Sequence, residues 1–185
     1  MRTIVFIFAS LIQPLAHADV TAHGPGGFVS QWSFTIAAPR ERVFRALTEE
    51  VGRWWDPAHS YSRDAANFSI DARPGGCFCE RLGERLADGG VQHMTVVFVK
   101  RNAMLRMLGG LGPLQGMAVS GSMTLTVSDA GTGTLLKYEY AVGGYAPDGL
   151  DQLAEPVDRV QQGQLLRLQR YIETGSPAAA APAAP

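Results

Sequence analysis

VSGSMTLTVS, residues 119–128, alternates apolar and polar side chains almost without a break. That period of two belongs to a half-buried β-strand. Val119, Met123, Leu125 and Val127 therefore face one way, and Ser120, Ser122, Thr124 and Thr126 the other. After the turn Gly131-Thr132-Gly133, the stretch Leu135 to Val142 repeats the pattern, with Leu136, Tyr138, Tyr140 and Val142 on one face. Past Gly143-Gly144-Tyr145 the period lengthens, and Leu153, Val157, Val160, Gln164, Leu168 and Tyr171 mark a helical stripe. A proline inside a helix breaks its hydrogen-bond ladder. The regular helix is therefore expected to start near Glu155, with Pro156 in its first turn.

Upstream, Trp32 to Ile36 alternates as a first strand, and Pro39 opens a helix whose apolar face is Val43, Phe44 and Leu47. Gly52 ends or hinges that helix before a second short helical turn around Trp54. Strand-like runs follow at Phe68 to Ala72, Cys77 to Arg85, Val91 to Lys100 and Met104 to Leu108. Asp88-Gly89-Gly90 between two of them is a hairpin signal. The fold class is α+β: a curved antiparallel sheet of about seven strands, two short helices after the first strand, and one long C-terminal helix. Such a sheet has an apolar face that must be covered. One long helix and a short pair are little to cover it, so a twisted sheet curling around the long helix can leave a cavity, a filled core being the alternative.

The chain begins with Arg2, an apolar run from Ile4 to Leu15, and Ala16-His17-Ala18. This is the order of a secretory signal peptide, expected at residues 1–18 and cleaved after Ala18. The run is shorter than the roughly 20 residues that span a bilayer. A buried N-terminal helix or an uncleaved anchor are the alternatives. Residues 19–27 are expected to be a flexible segment, 28–174 the folded domain, and 175–185 a disordered Pro/Ala tail. With 16 basic and 17 acidic side chains and no charged block, nucleic acid and anionic membrane are not the expected partners. The oligomeric state is not legible. Cys77 and Cys79 fall two apart in one strand, where a bridge would strain the pleat, so free thiols are expected. No second Cys or His pair stands at ligand spacing, so no metal is expected.

Gly52-Arg53-Trp54-Trp55-Asp56-Pro57, Pro74-Gly75-Gly76-Cys77-Phe78-Cys79-Glu80 and His93-Met94-Thr95-Val96-Val97-Phe98-Val99 resemble the START-like SRPBCC superfamily. Within it they are similar to the heat-shock-protein ATPase-activator-homologue and polyketide-cyclase-like branch. The resemblance spans Phe28 to Glu173 and implies a helix-grip fold with a hydrophobic pocket between the sheet and the last helix. Its members include lipid carriers, cyclases and co-chaperones, so the fold leaves the activity open.

Several residues are candidates for a site. Trp54 and Trp55 are adjacent and cannot share a direction on a helix, so one is expected at a cavity mouth, unless both cap the end of the sheet. Glu80 shares a strand face with Phe78. If both point inward, the carboxyl is desolvated, with a raised pKa, and suited to acid–base chemistry. If the pleat is reversed, the cysteines point inward and Glu80 is solvated or paired with Arg106. His93 lies across the hairpin from Glu80 and is either its catalytic partner or a hydrogen-bonded structural residue. His59 and Tyr61 lie in the loop after Trp55 and can reach the pocket mouth, the alternative being that they are ordinary loop residues. Leu114 and Met117 belong to a Gly-rich apolar stretch expected to form a rim or lid, and Phe78, Met123 and Leu125 complete the expected ligand wall. Gly109-Gly110-Leu111-Gly112 lacks the spacing of a dinucleotide site, and no Gly-x-Ser-x-Gly elbow occurs, so no cofactor is expected. The leading function is binding or carriage of a small hydrophobic molecule. The alternatives are a cyclase or dehydratase using Glu80 and His93, and a co-chaperone.

Overall fold

The computed structural model describes residues 18–179. The expected signal peptide, apart from Ala18, and residues 180–185 of the expected tail lie outside them. The elements run β1 (Ala18–Gly24), β2 (Gly27–Ile36), α1 (Arg40–Glu49), α2 (Val51–Trp54), β3 (Phe68–Ile70), β4 (Cys77–Arg81), β5 (Gly90–Lys100), β6 (Met104–Gly109), β7 (Ala118–Ala130), β8 (Gly133–Tyr145) and α3 (Asp151–Thr174). All strands join one antiparallel sheet in the order β1-β2-β8-β7-β6-β5-β4-β3. This is the helix-grip arrangement, with α3 and the α1–α2 pair covering the apolar face. The alternation is kept: Trp32, Phe34, Ile36, Met123, Leu125, Val127, Leu136, Tyr138, Tyr140 and Val142 are all buried, as are Val157, Leu165 and Leu168 of α3.

Three expectations are corrected. The sheet has eight strands, because the segment expected to be flexible at 19–27 holds β1, whose backbone pairs with the open edge of β2 from Ala18↔Trp32 to Gly24↔Gly27. An edge strand is held by its ladder, not by an apolar face, and the folded domain therefore begins before Phe28. The helix α3 starts at Asp151, which places Pro156 in its interior. Both Pro156 and Gln152, whose carbonyl loses its helical donor there, are exposed, so water can take up the bond. At the other end Gly175 caps α3 with φ 82°, and Arg170 Nε donates to Pro177 O at 3.0 Å. The first residues of the expected disordered tail are thus fastened to the helix.

The third correction concerns the thiols: Cys77 and Cys79 form a disulfide. A fully extended strand holds residues i and i+2 about 6.7 Å apart, whereas these Cα atoms are 5.4 Å apart, within bridging range. The ladder is irregular at this point, with a register shift between Phe78 and Cys79. Gly52, expected to end or hinge the first helix, lies inside α2. A Cβ there would stand 2.9 Å from Ala65 O, so the glycine lets the loop carrying Tyr61 and Ser62 pack against the helix.

Candidate ligand pocket and the Glu80–His93 pair

The site is built on the irregularity between β4 and β5. Phe78 pairs with Met94, but Cys79 pairs with Gln92, so His93 is an extra residue on β5. A regular pleat would turn His93 outward if Met94 points inward. The bulge lets both point inward, and both are buried, at 5% and 1% exposure. On β4 the pleat brings Phe78 and Glu80 inward together, both buried. The pairing of Glu80 with Arg106 does not occur, and Arg106 Nε donates instead to Thr124 Oγ1.

Glu80 Oε2 lies 3.1 Å from His93 Nε2. The same carboxylate accepts from the backbone N–H groups of Tyr61 and Ser62. Burial alone would push the Glu80 carboxyl up, but the Ser62 and Tyr61 hydrogen bonds and His93 outweigh it and hold it below its ordinary value. The raised pKa expected from burial is therefore reversed by the loop that closes over the carboxylate. For His93, burial pushes the imidazole below its ordinary value, and Glu80 only partly opposes this. A carboxylate can only accept, so Nε2 carries the imidazole hydrogen and Nδ1 is left as a lone pair. Nδ1 is buried and has no partner among the described residues.

Aromatic rings enclose the imidazole. Phe68 stacks on it at 5.2 Å, and Phe78 and Tyr61 lie 5.3 and 6.1 Å away. Trp55 packs on Phe68 and Phe78 at 5.2 and 5.3 Å. Next to this cage is a pocket of about 360 Å³, within the range of small-molecule sites. Its walls include Trp55, His59, Tyr61 and His93 on one side, Leu111 and Pro113 on the rim, and Leu153, Val157, Val160 and Gln161 of α3. The Tyr61 hydroxyl donates to Gly112 O at 3.3 Å, joining the two rims across the mouth. A wider groove of about 680 Å³ runs past α1, and its walls carry the charged side chains Glu41, Arg42, Arg45 and Glu49 beside Phe44, Ile70 and Val99.

Of the residues singled out from sequence, Trp55, His59, Tyr61 and His93 meet at this pocket, with Glu80 behind His93 and Phe78 in the cage. Trp54 does not reach it. Both tryptophans are buried, and Trp54 Nε1 donates to Ala46 O at 2.9 Å. Met123 and Leu125 belong to the packed core on the far side of Trp55. Leu114 is wholly buried and Met117 half-buried, and neither lines the pocket, where Leu111, Gly112 and Pro113 form the rim. Sequence reasoning missed Gln161 and the use of Leu153, Val157 and Val160 as pocket wall, because a helical stripe reads the same whether it faces a core or a cavity. Among the described residues no group of three His, Cys, Asp or Glu side chains could hold a metal ion, and no helix is long and apolar enough to cross a membrane.

Fold and site together define a START-like helix-grip domain with a side pocket. More narrowly, the chain belongs to the family of Activator of Hsp90 ATPase homolog 1-like proteins, whose family model matches residues 37–170. No curated protein matches it in sequence. Solved structures with the same fold include CalU16 from Micromonospora echinospora, at 17% identity and TM-score 0.58 over 89% of this chain and 88% of that one. DynU16, a protein of the dynemicin biosynthetic locus, aligns at 19% identity and TM-score 0.56 over 80% of this chain and 48% of its own, so this chain spans about half of it. The Aha1 dimer from Colwellia psychrerythraea aligns at 17% identity and TM-score 0.55 over 80% of this chain and 97% of that one. At such identities the likeness speaks for the fold alone.

Proposed function

We propose that the protein is exported and binds a small hydrophobic molecule in the pocket between α3, the loop around Tyr61 and the rim at Leu111. The observation that carries this reading is the pocket itself, apolar on most walls and of about 360 Å³. A ligand that loses about 400 Å² of apolar surface gains roughly 10 kcal/mol at about 25 cal/mol per Å². Association costs of about 4 kcal/mol or more leave an affinity on the order of tens of micromolar. That is carrier-like and measurable. An environment-sensitive apolar dye should bind at one per chain and change tryptophan emission through Trp55. Val160→Trp, at a half-buried position on the pocket wall, should weaken the dye at least about tenfold with no change in unfolding midpoint. Saturable binding that survives in this variant would place the dye elsewhere and end the reading.

Export rests on Arg2, the apolar run and Ala16-His17-Ala18. Cleavage after Ala18 would remove only the first residue of β1 and keep Asp19 to Gly24 for pairing with β2. One intact-mass measurement on protein from its own host tests both this and the disulfide. The expected mass is that of a chain starting at Asp19 and lighter by two hydrogen atoms than its reduced form. A soluble chain retaining Met1, or one that reduction leaves unchanged in mass, would contradict the corresponding claim. The co-chaperone role that the family description suggests falls with export, since an ATP-driven chaperone works in the cytoplasm.

A second reading is favoured by one feature, the unpartnered His93 Nδ1 beside the pocket. With Glu80 holding Nε2–H, Nδ1 keeps the lone pair that a general base needs to take a proton from a bound ligand. In a cyclase or dehydratase of this kind, His93→Ala would lower the rate by about 10²- to 10⁴-fold while dye binding persisted. In a carrier it would alter affinity alone.

A further inference from the structure

The strand that brings Phe78 and Glu80 inward carries the Cys77–Cys79 disulfide on its other face. The two cysteines differ in their surroundings. Cys79 is 4% exposed and paired on both edges, with Ser69 of β3 and Gln92 of β5. Cys77 is half-buried and lies past the last β3 pair, Ile70↔Phe78. It follows the turn at Gly75-Gly76, where a Cβ on Gly75 would meet nothing within 4 Å. Cys77 is therefore the more accessible end of the bridge. The bridged triplet is also the irregular part of the ladder. Its end Cα atoms are 5.4 Å apart, about 1 Å closer than in an extended strand, and the register shift between Phe78 and Cys79 falls inside it. Across from it β5 carries one residue more over the same rungs, and that residue is His93. A shortened β4 calls for a more arched β5, so the bridge supports the bulge that turns the imidazole inward.

We propose that Cys77–Cys79 is a thiol–disulfide exchange site for low-molecular-weight thiols, and that opening it loosens the Glu80–His93 pair on the other face of the sheet. The thiolate of the small molecule attacks Cys77 Sγ and forms a mixed disulfide there. The bond to Cys79 breaks, and its electron pair leaves on Cys79 Sγ, which takes up a proton. A second small thiolate attacks the small-molecule sulfur of the mixed disulfide, and Cys77 Sγ leaves and is protonated in turn. Two thiols are thereby oxidised to one small disulfide, the bridge is reduced to two cysteines, and the two protons come from the two thiols. Once open, β4 is free to lengthen, the arch in β5 relaxes, and the residue at its crest is His93. His93 Nε2 and Glu80 Oε2 are 3.1 Å apart, so a shift of about 1 Å takes them out of hydrogen-bond range. His93 also lines the pocket, which links the state of the bridge to binding.

Only the effect on binding rests on the reading of the pocket as a ligand site, and the test keeps the two apart. Full-length protein with the bridge formed is exposed to reduced glutathione, quenched in acid and mapped by mass spectrometry. Glutathione should be found on Cys77 and not on Cys79 while the chain stays folded. Excess dithiothreitol should then give a folded chain heavier by two hydrogen atoms. The imidazole Hε1 signal of His93, assigned by its loss in His93→Gln, should move on this conversion, while that of His23 on β1 stays in place. The apolar dye should bind the reduced protein about fivefold more weakly. Cys77→Ser should reproduce the reduced signal and affinity without a reductant, and if it fails to fold, reduced wild type carries the comparison. Glutathione on Cys79, or a bridge that opens only as the chain unfolds, would overturn the exchange site. Equal His93 signals in the oxidised and reduced folded protein would overturn the coupling. A His93 signal that moves while no dye binds in either state would uphold the inference and fail the pocket reading instead.

Discussion

Glu80→Ala is expected to cost the fold about 3 kcal/mol or more, read as a lowered urea midpoint. The substitution strips the acceptor from the buried imidazole N–H of His93 and from the part-buried backbone N–H groups of Tyr61 and Ser62. Each stranded donor carries a penalty of about 1–3 kcal/mol. Glu80→Gln should cost less, since it keeps one carbonyl oxygen. The same pair sets the acid limb of stability. The folded state holds His93 below its ordinary value, so below about pH 6.5 the unfolded chain binds a proton that the folded chain refuses, and stability falls. The folded state also holds Glu80 low, so a second loss follows below about pH 4.5. Both slopes have the same sign, with stability rising with pH. Glu80→Ala should lack the second fall. A variant with wild-type midpoint and an unchanged acid limb would mean that the carboxylate is solvated and the Tyr61 loop does not close over it.

Gly109→Ala should be nearly as damaging, at about 3 kcal/mol or more of strain and overpacking. Gly109 pairs with Met94 across from the bulge and has φ 152°. A Cβ there would stand 2.4 Å from His93 O and 2.9 Å from Met94 Cα. Both are backbone atoms, so relief requires β6 to move off β5 at the residue that carries the imidazole. Ligand binding should weaken along with stability. Gly116→Ala is the control, because a Cβ there meets nothing within 4 Å. Equal thermal midpoints for the two variants would contradict the close packing of β6 on the bulge.

Much of the fold was legible because its central elements alternate without ambiguity. Strands β7, β8 and β2 show their inward faces as a period of two, and α3 shows its stripe. The edge strand β1 was not legible, since the apolar positions of Ala18 to Gly24 are only Ala18, Val20 and Ala22, too small to mark a core face, and the strand is held by backbone pairing. The start of α3 was misplaced because Pro156 breaks a ladder only where its missing bond cannot be replaced, and exposure is a tertiary property. Counting back from Asp88-Gly89-Gly90 keeps Glu80 and His93 within a few rungs of each other. The choice between the two pleats was beyond the sequence, because Cys77 to Glu80 carries bulk or sulfur on both sides. The disulfide is hidden for a related reason: a regular strand holds such thiols apart, and the ladder here is irregular between Phe78 and Cys79.

One residue of surplus length in β5 decides which side of the sheet the imidazole occupies. Homologous positions are usually matched by letter, and a related chain can carry histidine at this column with the surplus residue deleted. Where the missing residue is the one just before it, the imidazole pairs with the Cys79 position and stands on the solvent side, with Val91 as its inward neighbour. Tracing this pair through the family therefore means counting residues from the hairpin turn to the carboxylate on one strand and to the histidine on the other. From the Arg81↔Gly90 pair Glu80 is one step along β4 and His93 three along β5; chains that keep this difference of two can share the chemistry, while a difference of one turns the imidazole to the other face.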